Sequence, residues 1–286
     1  MRQPAFLVVL SFCLFSQYTF AQEGATEPEK YTAHNKGKFF IFWGGNRESY
    51  SKSDIHFSGN GYDFTVQDAV ADDKPKGWHV DYINPANMTI PQTNLRIGYF
   101  FSDHYNVSIG VDHMKYVMRQ NQTVNMSGYI NQPEDQPGSF YNGSYTDTPT
   151  VLTEDFLTFE HTDGLNYVHA EIARVDDISK LFGIGNTDKF QVNLTEGIGG
   201  GVLYPKTNAK VLGMQRHDDF HISGYGLSAK AGINLTFFKY FFIQGELKGG
   251  YIDMNDVKTS YSDADKASHH FTFFERTIAV GGIFRI

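Results

Sequence analysis

The sequence predicts an all-β fold, a transmembrane antiparallel up-and-down β-barrel of about eight strands with long extracellular loops. Three observations carry that expectation. First, residues 220–253 alternate with a period of two. Tyr225, Leu227, Ala229, Ala231, Ile233, Leu235 and Phe237 fall on one parity, and Ser228, Lys230, Gly232 and Asn234 fall on the other. Successive strand side chains point to opposite faces, so the pattern is that of a strand. Second, the alternation resumes after the turn Phe238-Lys239-Tyr240, with Phe241, Ile243, Leu247 and Tyr251 set against Gln244, Glu246 and Lys248. An oily face opposed to a face with both signs of charge suits lipid outside and a polar interior. Third, past the N-terminus no run is apolar for the roughly 18 residues of a membrane-spanning helix, while the arms exceed the ~5–6 residues usual for soluble strands.

The chain begins with the features of an export signal. Arg2 supplies the positive charge, residues 6–15 form a short apolar run, and Thr19-Phe20-Ala21 offers small residues for cleavage. Residues 1–21 are therefore expected to be a signal peptide, residues 22–37 a disordered polar lead-in, and residues 38–286 one barrel domain. The single cysteine, Cys13, lies inside the signal and is poorly placed for lipid attachment, so no disulfide or thiolate metal site is expected.

The expected strands follow in order. Residues 38–45 (KFFIFWGG) are apolar on both parities, which leaves their facing open. Residues 46–91 read as a long loop holding a small hairpin around Gly59-Asn60-Gly61. Residues 93–101 put Leu95, Ile97, Tyr99 and Phe101 outward, with Asn94 and Arg96 inward. Past Ser102-Asp103-His104, residues 105–112 put Tyr105, Val107, Ile109 and Val111 outward, with Ser108, Gly110 and Asp112 inward. Residues 119–163 form a second long polar stretch. Residues 166–175 carry Val168, Ala170 and Ile172 outward and His169 and Glu171 inward. Residues 190–204 form the fifth strand, in which Glu196 falls on the greasy face and implies either a bulge or a shifted register. Residues 206–219 and 254–268 read as two further polar loops, and residues 277–286 as the closing strand. Aromatics beside the short turns match an interfacial girdle.

A formal net charge of −8 argues against binding nucleic acid through a basic surface. Negative mean hydropathy beside 15% aromatic residues is natural for a barrel whose lumen and loops dilute its oily face. No cofactor is expected. The inward cations Arg96, Lys230, Lys248 and Arg285 can pair with Asp112, Glu171 and Glu246, near His169, as a network filling the lumen. A narrow pore is the other reading of that set. His221 and Ser223 form an H-x-S near the loop end of the sixth strand, on the lipid-facing parity, with Asp253 at a matching height on the seventh. A serine, a base and a carboxylate are the parts of an acyl-transfer site, although polar rim residues at the headgroup level are the favoured reading and the enzyme the minority one. His217, Asp218, Asp219 and His221 lack a metal-site spacing, so no metal is expected. Gly199-Gly200-Gly201 reads as small residues in a crowded barrel wall.

The signal peptide, the alternating strands and the closing strand resemble small Gram-negative outer-membrane β-barrel proteins, OmpA-like barrels among them. The loop-rich, aromatic style looks like barrels of the Bacteroidetes group. Such proteins usually end on an aromatic residue, whereas here Phe284 precedes the final Ile286 by two positions. The resemblance implies an outer-membrane location, contact with outer-membrane lipid and lipopolysaccharide, and handling by the barrel-insertion machinery. It further implies a structural or surface-interaction role, with an extracellular ligand held by residues 46–91 and 119–163. The H-x-S is similar to that of outer-membrane lipid A deacylases, in which the acid is a glutamate where this chain offers Asp253.

Overall fold

A computed structural model describes residues 34–74, 92–217 and 220–286. The signal segment, most of the lead-in, Asp218 and Asp219 lie outside the described residues. Residues 34–37 of the expected lead-in are ordered: the Gly37 amide donates to the Phe100 carbonyl at 2.8 Å.

Fifteen strands are present among the described residues. They are β1 (Phe39–Tyr50), β2 (Ser53–Gly59), β3 (Tyr62–Ala69), β4 (Ala71–Asp72), β5 (Thr93–Phe100), β6 (Tyr105–Met118), β7 (Thr123–Ile130) and β8 (Gly143–Val151). There follow β9 (Leu157–Asp177), β10 (Phe190–Leu203), β11 (Asn208–Val211), β12 (Met214–His217), β13 (Gly224–Phe237), β14 (Phe241–Lys258) and β15 (Lys266–Phe284). Eight of them, in the order β1-β5-β6-β9-β10-β13-β14-β15, make an antiparallel sheet that closes through pairing of β1 with β15. Closure leaves the wall without an edge, the condition for a sheet to cross lipid.

The oily residues of the wall look out. Tyr225, Leu227, Ile243 and Leu247 are 46%, 58%, 38% and 53% exposed. Aromatics ring the short-turn rim at Tyr99, Phe101, Tyr105, Phe238, Tyr240, Phe241 and Phe284, and mark the far side at Tyr204, Tyr225 and Phe274. Glu196 keeps the outward parity without any bulge. The pairing of β10 runs unbroken, and Glu196 stands opposite Arg174 near the end of β9, where water is close. In β1 the ambiguity resolves with Ile41 and Trp43 outward and Phe40 and Phe42 inward.

The interior has three layers. Next to the short turns, Phe40, Phe42, Phe100, Phe242, Ala279 and Ile283 form a small apolar cluster. Beside it lies a cavity of about 60 Å³, faced on its other side by Gln191, Asn193, Asn234 and Gln244. A charged layer follows. Beyond it stands a second, larger apolar core, among whose residues are Phe57, Phe64, Tyr116, Phe156, Phe159, Tyr167, Ile252, Met254 and Phe271, all 2% exposed or less.

That outer core corrects the expectation of four long loops. Strands β6, β9, β14 and β15 continue past the lipid band, and β2, β3, β7, β8, β11 and β12 pair onto them or onto one another. The expected hairpin around Gly59-Asn60-Gly61 is β2 and β3. Residues 206–217 hold the hairpin β11–β12, which pairs with β9. The fourth loop shrinks to residues 259–265. In each tall strand the oily parity inverts at the membrane boundary. Along β6, Val107 and Ile109 look out while Met114, Tyr116 and Met118 look in. Along β15, Ile278 and Val280 look out while Phe271 and Phe273 look in. Lipid solvates the outside of the lower wall and water that of the upper wall, so burial requires opposite faces.

Candidate functional site

Alternation brings the charged layer together from five strands. Arg96 comes from β5, Asp112 from β6, His169 and Glu171 from β9, Lys230 from β13, and Glu246 and Lys248 from β14. Arg96 Nη1 lies 3.1 Å from both Glu246 Oε1 and Glu171 Oε2, and its Nη2 lies 3.5 Å from Asp112 Oδ1. Lys230 Nζ lies 2.6 Å from Glu171 Oε2 and 3.1 Å from Glu246 Oε2. Lys248 contacts Asp112 and lies 3.1 Å from Glu171 Oε1. His169 Nε2 lies 3.0 Å from Asp112 Oδ2. Three full cations thus meet three carboxylates in a place without solvent, where pairing is what makes burial tolerable.

Glycines make the room. A Cβ added at Gly199 would lie 2.6 Å from Glu171 Cγ, and one at Gly110 would lie 3.1 Å from His169 Cε1 and 3.2 Å from Arg96 Nε. An eight-stranded interior is just wide enough for side chains to fill.

Arg285 is not in this layer. It is exposed at the short-turn rim, where its Nη2 donates to the Lys36 carbonyl at 2.9 Å. Ile283 is the last inward-facing buried residue of β15, and the strand ends at Phe284. In its stead the layer borders on Glu275, which sequence reasoning missed. Asn94 Nδ2 donates to its Oε1 at 3.1 Å, Asn46 Nδ2 to its Oε2 at 3.4 Å, and Thr277 Oγ1 to its Oε1 at 3.0 Å. The signal was available: Glu275 shares the inward parity of Thr277 and Ala279, and extending the closing strand upstream would have found it.

The H-x-S is placed otherwise than expected. Ser223 Oγ does lie 3.0 Å from His221 Nε2. However, Ser223 precedes β13, is fully buried, and does not face lipid. His221 Nε2 also lies 2.8 Å from the Asp256 carbonyl oxygen. Asp253 sits across from Tyr225 in the register, and the Tyr225 hydroxyl donates to its Oδ2 at 3.4 Å. The carboxylate is thus engaged on the outer wall, and the serine is closed to an acyl chain.

In the outer core a second polar group stands out. His161 Nε2 lies 3.4 Å from His269 Nε2, His161 Nδ1 lies 2.8 Å from Thr207 Oγ1, and His269 Nδ1 lies 3.4 Å from Ser53 Oγ. Ser53 Oγ in turn donates to the His270 carbonyl at 3.0 Å. One direction of donation satisfies the whole chain with both imidazoles neutral: Thr207 to His161, His161 to His269, His269 to Ser53. Tyr116, Phe159 and Phe271 pack around the pair. Burial pushes His161 down from 6.5 to about 3. Burial, and then His161 itself, holds His269 well below the ordinary value. The metal reading of residues 217–221 falls partly outside the described residues. Among the described residues no group of three or more such side chains is arranged to hold a metal.

The outer surface of the head is polar with a few large side chains. Phe140, on the turn Pro137–Tyr141, is 87% exposed, and Tyr261 is 81% exposed. β8 ends the sheet beyond the barrel.

No protein-family model matches the chain, and no curated protein matches it either. Solved structures similar to it are bacterial outer-membrane barrels. Ail, the attachment invasion locus protein of Yersinia pestis, is 12% identical over 87% of this chain and 99% of its own, with a TM-score of 0.32. The outer membrane protein OprG from Pseudomonas aeruginosa is 11% identical over 89% and 99%, with a TM-score of 0.35. The outer membrane protein AlkL, solved in DMPC bilayers, is 8% identical over 92% and 98%, with a TM-score of 0.39. At these values the neighbours say nothing about what this chain does.

Proposed function

We propose that the chain is a non-catalytic surface protein of the bacterial outer membrane, whose filled barrel anchors a folded β-head that meets extracellular ligands. The observation that carries this reading is the pair of interior layers above the lower cluster. An ion-paired plane fills the wall at membrane depth, and an apolar core directly above it builds a rigid head in place of open loops. A head with its own core holds its exposed side chains in fixed positions, which lowers the ordering cost of recognition. Phe140 and Tyr261 are large contact groups of the kind that dominates protein interfaces.

The test is electrical and chemical. The refolded chain in planar bilayers is expected to give no stepwise conductance, and steady unitary currents would replace the anchor reading with a pore. Lipid A from cells expressing the chain or its Ser223→Ala variant is expected to keep the same acylation, because Ser223 is enclosed. Terminal sequencing of the membrane-extracted protein is expected to begin at Gln22, as the small residues before it suggest.

A further inference from the structure

The outer wall carries a cationic pair that no carboxylate among the described residues neutralises. Arg47 of β1 and Arg276 of β15 stand directly opposite each other in the register, both on the outward parity. Like charges directly opposite on a sheet face repel and destabilise it. Among the described residues neither meets a carboxylate: Arg47 Nη1 donates only to the neighbouring Asn46 carbonyl at 2.6 Å, and Arg276 makes no ion pair. Among the described residues the neighbouring outward positions on β14 and β15 hold no acid either. Leu247 of β14 faces Arg276, and Phe274 and Ile278 flank it along the strand.

The floor beside the pair is bare. Gly45, Gly245 and Gly249 share the outer face diagonal to the arginines. A Cβ at Gly245 would meet nothing within 4 Å, one at Gly249 only the Phe273 carbonyl at 3.9 Å, and one at Gly45 only the Gln92 carbonyl at 3.7 Å. Crowding therefore does not account for these glycines, in contrast to those lining the interior. They leave a shallow recess beside two guanidinium groups, walled by the exposed side chains of Trp43, Leu247 and Ile278.

Depth decides what fits. Arg47 lies eight residues along β1 from Phe39, and Arg276 eight residues before Phe284. At about 3.3 Å per residue and a tilt near 40°, that is about 20 Å above the short-turn rim, close to the far edge of an apolar band of about 25 Å. Long cationic side chains reach from there to the headgroups. A planar guanidinium binds phosphate oxygens in a fork, and two forks a strand apart can hold one phosphate between them.

We propose that Arg47 and Arg276 form a clamp for the phosphate of an outer-leaflet lipid, whose acyl chains lie along Leu247 and Ile278. The proposal rests on the barrel spanning a bilayer, so membrane insertion is measured in the same experiment. Full-length protein is placed in phosphatidylcholine nanodiscs doped with phosphorylated lipid A, or with the same lipid enzymatically dephosphorylated, and retained lipid is read by native mass spectrometry. Wild type is expected to retain the phosphorylated lipid and not the dephosphorylated one. R47Q/R276Q is expected to lose about tenfold of that retention, and excess inorganic phosphate to leave it unchanged. Equal retention by a folded double variant, or equal retention of the dephosphorylated lipid, overturns the clamp. Displacement by inorganic phosphate overturns it in favour of a soluble-anion site. Folding is judged by the shift in gel mobility between unheated and boiled samples. If the double variant lacks that shift, R47Q and R276Q singly carry the test, each with partial loss expected. A wild type without the shift would count against the barrel and not against the clamp.

Discussion

Lys248 carries its ammonium into a place with no solvent and is held there by Asp112 and Glu171. Removing it leaves two carboxylates short of a cation, a larger loss than the pair was worth. Lys248→Met is expected to destabilise the folded barrel by about 3–5 kcal/mol, read as a lower urea midpoint for refolded protein in detergent. The histidine pair behaves in the opposite sense, being buried neutral. Above 6.5 the exposed and the buried forms of His161 are both uncharged, and pH does nothing through this residue. As pH falls below 6.5 the opened head takes up protons that the closed one refuses, so stability drains away until the closed form also protonates at about 3. By pH 4 the head should have lost of order 3 kcal/mol through this residue relative to neutral pH. Hydrogen exchange over residues 157–165 and 266–273 should accelerate accordingly, and His161→Phe should flatten that dependence.

At the scale of the element, β10 and the turn after β13 carry the sharpest constraints. Gly199 faces Glu171 at a separation that admits no side chain, so Gly199→Val is expected to give protein without the heat-dependent gel shift. Phe238 and Lys239, the central residues of the turn that the Tyr240 amide closes onto the Phe237 carbonyl, hold φ values of 51° and 71°, the left-handed region that bulky residues resist. The double change Phe238→Asn with Lys239→Gly is expected to raise stability by about 1 kcal/mol in the same urea titration. The sequence makes β5, β6, β13 and β14 legible within the membrane because there lipid and a charged interior place opposite chemistry on the two parities. It hides the upper halves of β6, β9, β14 and β15, since the oily parity changes sides where lipid gives way to water and the running pattern cancels. β8 is legible on neither ground, being polar and exposed along nearly its whole length. Asp112, Glu171 and Glu246 could be named in advance from parity alone. Arg285 could not be ruled out, because parity says nothing about where a strand stops. Nor does spacing reveal that Ser223 lies off the strand, folded inward beneath the head.

For the whole molecule, the two apolar cores make different demands on the same sheet. Phe64, fully enclosed in the upper core, has no partner in the lower cluster. Phe64→Ala is expected to cost the head about 3–5 kcal/mol and to open it to protease, while the heat-dependent gel shift of the wall persists. The ring is joined where its first strand meets its last, over twelve register pairs from Phe39↔Phe284 to Tyr50↔Phe273. Asn46 and Asn94 reach Glu275 only across that seam, and Arg96 meets Glu246 from the other side of it. During biogenesis, then, a chain threaded in order keeps Arg96 of β5 apart from Glu246 of β14 until its C-terminal strand docks. The final zippering event is also the one that brings these separated charges into contact, so a half-inserted intermediate has every reason to stay with its chaperones.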